Sequence, residues 1–468
     1  MDGFDEVTGT DAAVEDVDLL VFGGGKGGKT LAMDTARAGR NVAMVERGMI
    51  GGSCINVACI PTKALVSSAR LLGRLADAGA LGIRGTDADV DLSLLRAHKE
   101  GVVDGMVELN HRQFLDSGMD LVLGTAHFVA ERTVEVALNS GGQRLLRGAD
   151  VVINTGTVPR IPDIPGLAEA GPLTSESLLR LERLPDRLVV LGAGHVGLEF
   201  AHMFAVFGSR VTVLQHGPRL LPREDQEIVD LLAGYLREDG VEILTEAAVA
   251  RVEAGEGSVT VHLGDGRQVP GSDILVAVGR DPVTRELDLE AAGVRTDARG
   301  FVRVDDRLAT DAPHTWAVGD VAGSPQFTHV SLDDYRIVKA NIAGGDRRTT
   351  GRLVPSNLFT TPEFARVGLT EAEARASGHR VRVARLPVAA IPRARTMRET
   401  RGLWKAVVDQ DSEQILGASL LGAESSEVLA VLHTAMQAGL PYPALRDSII
   451  THPTMAEGLN LLFASWAD

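Results

Sequence analysis

Cysteine is almost absent from this chain, which has only two among 468 residues. A secreted disulfide framework needs several pairs, so this number excludes one. The chain also lacks any apolar run near the roughly 18 residues that a membrane-spanning helix requires. Its N-terminus has neither the basic nor the apolar segment of a signal peptide. We therefore expect a cytoplasmic protein that has no membrane partner.

Positive charge is scarce as well, since 63 acidic residues outnumber 47 basic ones. The net charge of −16 disfavours binding to nucleic acid or to an anionic membrane. Glycine, in contrast, is abundant at 52 residues, and 44% of the chain is hydrophobic. This composition is typical of a soluble α/β protein with many tight turns. A length of 468 residues allows two to four domains.

Both cysteines, Cys54 and Cys59, lie in residues 51–63, Gly-Gly-Ser-Cys-Ile-Asn-Val-Ala-Cys-Ile-Pro-Thr-Lys. A disulfide between them would close a small loop and restrict the unfolded chain very little. A structural zinc site would need four ligands and usually a second cysteine pair. Two buried, inert thiols are the alternative to a redox-active dithiol. We favour the dithiol, because the start of a helix stabilises a thiolate.

A glycine-rich loop follows a predicted strand, residues 17–22. Gly23, Gly25 and Gly28 match the dinucleotide fingerprint G-x-G-x-x-G. Residues 23–30 also match the P-loop pattern G-x-x-x-x-G-K-[ST]. Both patterns hold phosphate with backbone N–H groups at a helix N-terminus, so the loop alone does not separate them.

The sequence after the loop favours the dinucleotide fingerprint. A second predicted strand, residues 42–45, ends at Glu46, which lies 23 residues after Gly23. A carboxylate at that place can bind the hydroxyls of an adenosine ribose. A P-loop would also leave the cysteine pair unexplained. Lys29 and Thr30 are then expected to be ordinary residues of the first helical turn.

The pattern of strand, glycine loop and helix occurs a second time. A predicted strand, residues 188–191, precedes Gly192, Gly194 and Gly197, and residues 211–214 form the next strand. Two such units predict two bound dinucleotides, which is the arrangement that a flavin–nicotinamide enzyme requires.

The second unit differs from the first at the residue after its second strand. Gln215 lies 23 residues after Gly192, at the place that Glu46 takes in the first unit. A carboxylate there would repel the 2′-phosphate of NADPH, and Gln215 removes that repulsion. His216 and Arg219 follow within reach of a phosphate, and arginine binds phosphate with two N–H groups. We predict a preference for NADPH, with NADH binding to the Gln215 amide as the alternative.

The cysteine segment resembles the active-site signature of the class I pyridine nucleotide–disulfide oxidoreductases. That family includes dihydrolipoamide dehydrogenase, glutathione reductase and mercuric reductase. The resemblance covers nearly the whole chain and implies two Rossmann-like domains, for FAD and NAD(P), with a C-terminal α+β dimerisation domain. Further matching segments are residues 154–159 with Thr155 and Gly156, residues 279–282 beginning at Gly279, residues 316–320 ending at Asp320, residues 361–368 and residues 451–457.

The resemblance also implies a domain order. The chain is expected to begin with a disordered acidic tail at residues 1–16, and the first part of the FAD-binding domain follows this tail. The expected segments are residues 17–158 for that part, 159–278 for the NAD(P)-binding domain, 279–350 for the second FAD-binding part and 351–468 for the dimerisation domain.

The same resemblance implies roles for individual residues. Cys59 would lie against the flavin, and Cys54 would be the outward thiol that meets the oxidant. Lys63 would pair with Glu199 near the flavin. His452 and Glu457 would form a dyad that reaches into the partner's active site in a homodimer. The residues that would hold FAD are Gly23, Gly25, Gly28, Glu46, Thr155, Gly156 and Asp320.

The oxidant is expected to be a small disulfide, a metal ion or a similar molecule, with no resident metal. Mercuric reductase commonly has an additional C-terminal cysteine pair and a tyrosine in place of the dyad histidine. This chain has neither, which counts against mercury. Residues 327–337 and 451–457 resemble the reactive-chlorine-resistance flavoproteins, which are linked with copper(II) reduction. A dihydrolipoamide-dehydrogenase-type component and a flavin-binding sensor without turnover are the alternatives.

Overall fold

The computed structural model describes residues 13–84 and 88–466, which form a mixed α/β protein. The α-helices are α1 (Lys26–Arg37), α2 (Ser53–Asn56), α3 (Cys59–Ala76), α4 (Leu92–Asp116), α5 (His195–Val206), α6 (Gln226–Glu238), α7 (Thr328–Ile342), α8 (Glu371–Ala376), α9 (Pro392–Met397), α10 (Ser425–Gln437), α11 (Tyr442–Arg446) and α12 (Gly458–Ala464). Short 3₁₀ helices are Ala78–Leu81, Leu178–Arg180, Leu289–Ala292, Gly319–Ala322 and Val388–Ala390.

The strands alternate with these helices in the first part of the chain and group together later. They are β1 (Val14–Phe22), β2 (Val42–Glu46), β3 (Asp120–Ala130), β4 (Thr133–Leu138), β5 (Gln143–Ile153), β6 (Thr157–Pro159), β7 (Arg187–Leu191), β8 (Arg210–Leu214), β9 (Val241–Leu244), β10 (Val249–Gly255), β11 (Ser258–Leu263), β12 (Gln268–Gly271), β13 (Asp273–Val276), β14 (Arg280–Pro282), β15 (Thr315–Ala317), β16 (Ser356–Leu358), β17 (Glu363–Gly368), β18 (Val381–Pro387), β19 (Leu403–Asp409) and β20 (Ile415–Gly422).

The described chain divides into two compact units, and the first contains residues 13–61, Glu100–Val158 and Arg280–Gly351. Its main sheet has five parallel strands in the order β3-β2-β1-β5-β15. β4 pairs antiparallel with the later part of β3 and the earlier part of β5. This sheet carries the first glycine-rich loop at the end of β1.

The alternating side chains of β1 fill two different cores. Leu19 and Val21 belong to a cluster that includes side chains of α1, α4 and α7. Leu20 and Phe22 belong to a second cluster on the other face, with apolar residues of β3, β4 and β5. Successive strand residues point to opposite faces, so a sheet covered on both sides needs this continuous apolar run.

The first strand begins earlier than the sequence predicted. Residues 14–16, the last part of the predicted acidic tail, form the start of β1 and pair with β5. The carboxylates of Glu15 and Asp16 accept hydrogen bonds from Arg144 at 2.8 Å and Arg147 at 2.7 Å. Because β5 supplies these guanidinium groups, the acidic residues are accommodated in a strand. Residues 1–12 of the predicted tail lie outside the described residues.

The second compact unit contains residues 62–84 and 88–99, Pro159–Gly279 and residues 352–466. It has a parallel sheet in the order β13-β7-β8-β9 and a three-stranded antiparallel sheet, β10-β11-β12. A third sheet is antiparallel and has the order β16-β17-β20-β19-β18. The parallel sheet carries the second glycine-rich loop between β7 and α5.

Two glycines of this second loop are required by the geometry. Gly192 has a φ of 103°, which an L side chain rarely adopts. A Cβ on Gly197 would lie 2.0 Å from the Gly192 carbonyl oxygen. The helix can therefore begin directly against the strand only because both positions lack a side chain.

The antiparallel sheet of the second unit has its own core. Trp404 of β19 is fully buried in it, together with Leu432 of α10 and Phe463 of α12.

None of the helices in the described part of the chain has the length and the apolar character that a membrane span requires.

Candidate active site

The two cysteines flank the break between two helices. Cys54 is the second residue of α2, and Cys59 is the first residue of α3. Gly52 caps α2 with a φ of 82°, a conformation that glycine adopts without strain. Both cysteines are free thiols in this structure, and they lie close enough for Cys59 to act on the pKa of Cys54. The helix break therefore brings together the pair that the sequence predicted to be redox-active.

The protons of this pair are not equivalent. The hydrogen bond to Cys59 raises the pKa of the Cys54 thiol well above its ordinary value, and burial raises it further. Thr328 and Lys29 act in the opposite direction on this pKa. The Thr328 hydroxyl oxygen also lies 3.5 Å from the sulfur of Cys59. When the pair has lost one proton, the other therefore stays on Cys54.

Lys63 lies one helical turn after Cys59 on α3. Its Nζ donates to Glu199 Oε2 at 2.7 Å and lies 4.7 Å from the centre of the Phe359 ring. The other oxygen, Glu199 Oε1, accepts the N–H of Phe359 at 2.9 Å. Glu199 is only 6% exposed, and a buried carboxylate needs such partners to remain charged. The predicted lysine–glutamate pair is thus present as an ion pair between a half-buried lysine and a buried carboxylate.

Glu46 holds the first glycine-rich loop in place. Its Oε2 accepts the N–H of Gly24 at 2.7 Å, and its Oε1 accepts those of Gly48 and Met49, both at 2.8 Å. A carboxylate has about four acceptor positions, so one remains for a ribose hydroxyl. Gly25 caps α1 without a side-chain hydrogen bond, which leaves the helix start suited to a phosphate.

Asp320 lies at the start of a 3₁₀ helix in the same unit. Burial raises its pKa, while the hydroxyl of Thr157, which donates at 2.8 Å, and the charge of Arg280 lower it. Thr155 donates its hydroxyl to the carbonyl of Val283 at 2.7 Å. A partly buried carboxylate beside hydroxyls suits a polyol chain.

Gly156 provides the room that a cofactor needs beside this carboxylate. A Cβ placed on it would meet no atom within 4 Å. The residues of this unit fit FAD. The start of α1 would hold the pyrophosphate, Glu46 the ribose and Asp320 the ribityl chain. The assignment of each residue to a part of FAD stays a prediction.

Gln215 takes the same position in the second unit that Glu46 takes in the first. Its Oε1 accepts the N–H of Ala193, in the second glycine-rich loop, at 3.3 Å. Its Nε2 donates to the carbonyl of Arg219 at 3.1 Å. The side chains of His216 and Arg219 are exposed. The structure therefore brings the predicted NADPH-binding residues together at one loop.

The predicted histidine–glutamate dyad is present in the C-terminal segment. His452 Nδ1 lies 2.8 Å from Glu457 Oε2. The imidazole is 69% exposed, whereas the Glu457 side chain is only 14% exposed. Because Nδ1 is occupied by the carboxylate, Nε2 is the nitrogen that can exchange protons with another group.

Sequence reasoning missed several residues that hold these groups. Asn154 Nδ2 donates to the carbonyl of Gly23 at 2.9 Å, and Ser331 Oγ accepts the N–H of Gly27 at 3.1 Å. Thr328 contacts the cysteine pair. Ser331 and Thr328 belong to residues 327–337, which the sequence marked only as a matching segment. Nothing in its local pattern indicated which side chains would face the site.

The described residues contain no group of three or more His, Cys, Asp or Glu side chains that could hold a metal ion.

Comparison with known families assigns this arrangement. Residues 17–334 match the model of the pyridine nucleotide-disulphide oxidoreductases, and residues 354–462 match the dimerisation domain of the same family. The chain belongs to the pyridine nucleotide–disulphide oxidoreductase family. The predicted family, fold class and enzyme class are thereby confirmed. Members of the family use FAD and a nicotinamide nucleotide, while the choice between NADPH and NADH and the domain boundaries stay predictions.

Individual members of the family are similar over almost the full chain. A probable pyridine nucleotide-disulfide oxidoreductase of Escherichia coli, RclA, is 43% identical over 95% of this chain and 98% of its own. A dihydrolipoyl dehydrogenase of Haloferax volcanii is 36% identical over 94% of both chains. A structure of RclA with Cu(II) has a TM-score of 0.89 at 42% identity, and the match covers 96% of this chain and 99% of that one.

Replacing Lys63 by Met tests the Lys63–Glu199 ion pair of this oxidoreductase. The variant leaves the Glu199 carboxylate buried without its cation and removes a positive charge from α3. We expect NAD(P)H to reduce the flavin about 100-fold more slowly, the scale of losing one preorganised polar group. Stopped-flow absorbance of FAD-loaded protein measures this rate. Lys63→Arg should recover most of it, and a wild-type rate in the Met variant would contradict the role of the pair.

Proposed function

We propose that this protein is a cytoplasmic NADPH-dependent reductase that acts through the Cys54–Cys59 pair on a small disulfide or a metal ion. The observation that carries this proposal is the placement of the two free thiols together at the break between α2 and α3, close enough that Cys59 raises the pKa of Cys54. Two thiols so placed can form a disulfide and be reduced again without unfolding either helix. A thiol pair of this kind fits the cytoplasm, where thiols are kept reduced.

Bound FAD would supply the two electrons that it receives as hydride from the nicotinamide. Reduction of the disulfide takes two electrons and one proton, and it leaves a thiolate on Cys59 and a thiol on Cys54. His452, oriented by Glu457, accepts the Cys54 proton. The Cys54 thiolate then attacks a substrate disulfide, releases one thiolate and forms a mixed disulfide. Attack by Cys59 on Cys54 releases the second thiolate and restores the disulfide.

Reduction of a metal ion would use the same number of electrons and protons from the two cysteines. The thiolate and thiol together give up two electrons and one proton as the disulfide forms, so two Cu(II) ions would become two Cu(I) ions. The Cu(II) complex of RclA supports this oxidant for a chain that is 42% identical to it. The Haloferax dihydrolipoyl dehydrogenase supports a dithiol–disulfide substrate instead. Mercury is disfavoured, because this chain has only two cysteines.

A panel of oxidants decides among these substrates. NADPH consumption is measured with Cu(II), lipoamide, glutathione disulfide and Hg(II), in wild type and in Cys54→Ser. We expect Cys54→Ser to abolish the NADPH consumption that the preferred oxidant causes in wild type. If no oxidant in the panel depended on Cys54, the proposed function would be wrong.

The two cysteines should differ in their effect on the flavin spectrum. A thiolate that lies against an oxidised flavin gives a long-wavelength absorbance band, and we assign this thiolate to Cys59. We expect Cys59→Ser to abolish the band after reduction by two electrons. Cys54→Ser should show it without reductant, because no disulfide can then form. Identical spectra for the two variants would contradict this division of roles.

We further propose a homodimer with shared active sites. Residues 354–462 match a dimerisation domain, and the exposed His452 follows Ile449, a large and fully exposed apolar residue, by three positions in the chain. A partner subunit that covers this segment would bury Ile449 and place His452 beside the partner's cysteine pair.

Nucleic acid is not a proposed partner, because the net charge is −16.

Complementation between two inactive variants tests the shared site. In a heterodimer of Cys54→Ser and His452→Ala subunits, one site carries both defects and the other carries neither. We therefore expect mixed dimers to recover activity that each parent lacks. Subunit exchange is checked with differently tagged chains. Exchanged dimers without activity would show that the dyad does not act across the interface.

NADPH should be preferred over NADH, because Gln215 replaces a carboxylate and Arg219 offers a permanent charge beside it. A charge-assisted hydrogen bond contributes roughly 1.5–3 kcal/mol, so Arg219→Ala should lower kcat/KM for NADPH by about 10-fold or more. The value for NADH should change little. Arg223→Ala, which removes an exposed arginine of the same loop, is the control. An NADH preference in wild type, or an unchanged NADPH value in Arg219→Ala, would reject the assignment.

A further inference from the structure

Lys29 is the residue that the proposed function leaves unexplained. The sequence placed it, as the lysine of a P-loop pattern, among the ordinary residues of a first helical turn. It does lie in α1, but it is only 5% exposed. Lysine is almost never fully buried unless its charge is satisfied. Its burial therefore requires a reason that the fingerprint for FAD does not provide.

The Lys29 side chain reaches the segment that contains the cysteines. Its Nζ donates to the carbonyl of Gly51 at 3.3 Å and to Oδ1 of Asn110 at 2.5 Å. Gly51 lies three residues before Cys54, and Asn110 belongs to α4. Both acceptors are neutral, so these bonds hold the ammonium in position and leave its charge uncancelled.

This charge acts on Cys54. Burial, with a smaller contribution from Lys26, lowers the pKa of Lys29 to about 8, and the charge of Cys54 works against that shift. Lys29 therefore carries its proton in most molecules at pH 7. In return, its charge lowers the pKa of the Cys54 thiol, against the effects of Cys59 and of burial. The two groups stabilise each other only when both are charged.

We propose that Lys29 is a positioning residue that holds a positive charge beside the cysteine segment and so stabilises the Cys54 thiolate from within the same chain. The inference rests on the proposed function, in which Cys54 must lose its proton before it attacks. In that step the S–H bond breaks, the electron pair stays on sulfur and the proton leaves through His452 or water. Lys29 keeps its own proton throughout and gives none to the substrate.

Alkylation of a single-cysteine protein measures this effect directly. In a Cys59→Ser background, Cys54 is the only cysteine in the chain, and its reaction rate with iodoacetamide follows its thiolate fraction. We expect Lys29→Met to move the pH midpoint of this rate upward by a few tenths of a unit or more, since an opposite charge favours the ionised thiol. The rate at pH 7 should then fall roughly twofold or more.

A second variant separates the charge of Lys29 from its role as a tether. Asn110→Asp keeps the shape and the hydrogen bond at Lys29 but adds a carboxylate that cancels the ammonium charge. We expect it to raise the midpoint in the same direction as Lys29→Met. If it left the midpoint unchanged, Lys29 would act only by holding the segment in place, and the proposal would be wrong.

Lys99→Met is the matched control, because Lys99 is also a buried lysine, 6% exposed, whose Nζ donates to a backbone carbonyl, that of Leu179. It lies 11 residues before Asn110 on α4, about 16 Å along the helix, so its loss should leave the alkylation midpoint unchanged. An equal shift in the control would overturn the proposal. If Lys29→Met did not fold, Asn110→Asp would decide alone. The measurement needs no turnover, so its outcome is independent of whether any oxidant is reduced.

Discussion

The arrangement of this site depends on two backbone segments that touch without side chains between them. A Cβ on Gly52 would lie 2.6 Å from the Cα of Gly25, so the cysteine segment lies directly on the first glycine-rich loop. Both belong to the same compact unit. The dithiol and the predicted flavin site are therefore formed together when this unit folds, and a larger residue at Gly52 would force the two segments apart.

The electrostatics around the dithiol follow from this packing. The hydrogen bond between the thiols favours one thiolate and one thiol, with the proton on Cys54. A second thiolate beside the first would be unfavourable in a partly buried site unless a cation were near. Lys29 is buried, held by neutral acceptors, and acts on Cys54. The fold thus keeps Cys54 protonated at rest and lowers the cost of its ionisation.

The two glycine-rich units have the same local structure but are predicted to bind different nucleotides. In each, a side chain at the end of the second strand accepts an N–H from the loop: Glu46, the last residue of β2, from Gly24, and Gln215, which follows β8, from Ala193. The hydrogen bond is the same, so both loops are held in the same way. The charge differs, and only the unit with Gln215 can accept an added phosphate without repulsion. A single exchange of carboxylate for amide separates the predicted roles of the two units.

The sequence by itself determined the features that local pattern controls. Glycine spacing and alternating apolar residues located both strand–loop–helix units, and the only two cysteines located the dithiol. The tertiary structure alone decided where Lys29 points. Its local sequence is that of a phosphate-binding lysine, but its acceptor Asn110 lies 81 residues away in the chain. A side chain turns toward whichever partner the folded chain brings near, and no local pattern contains that information.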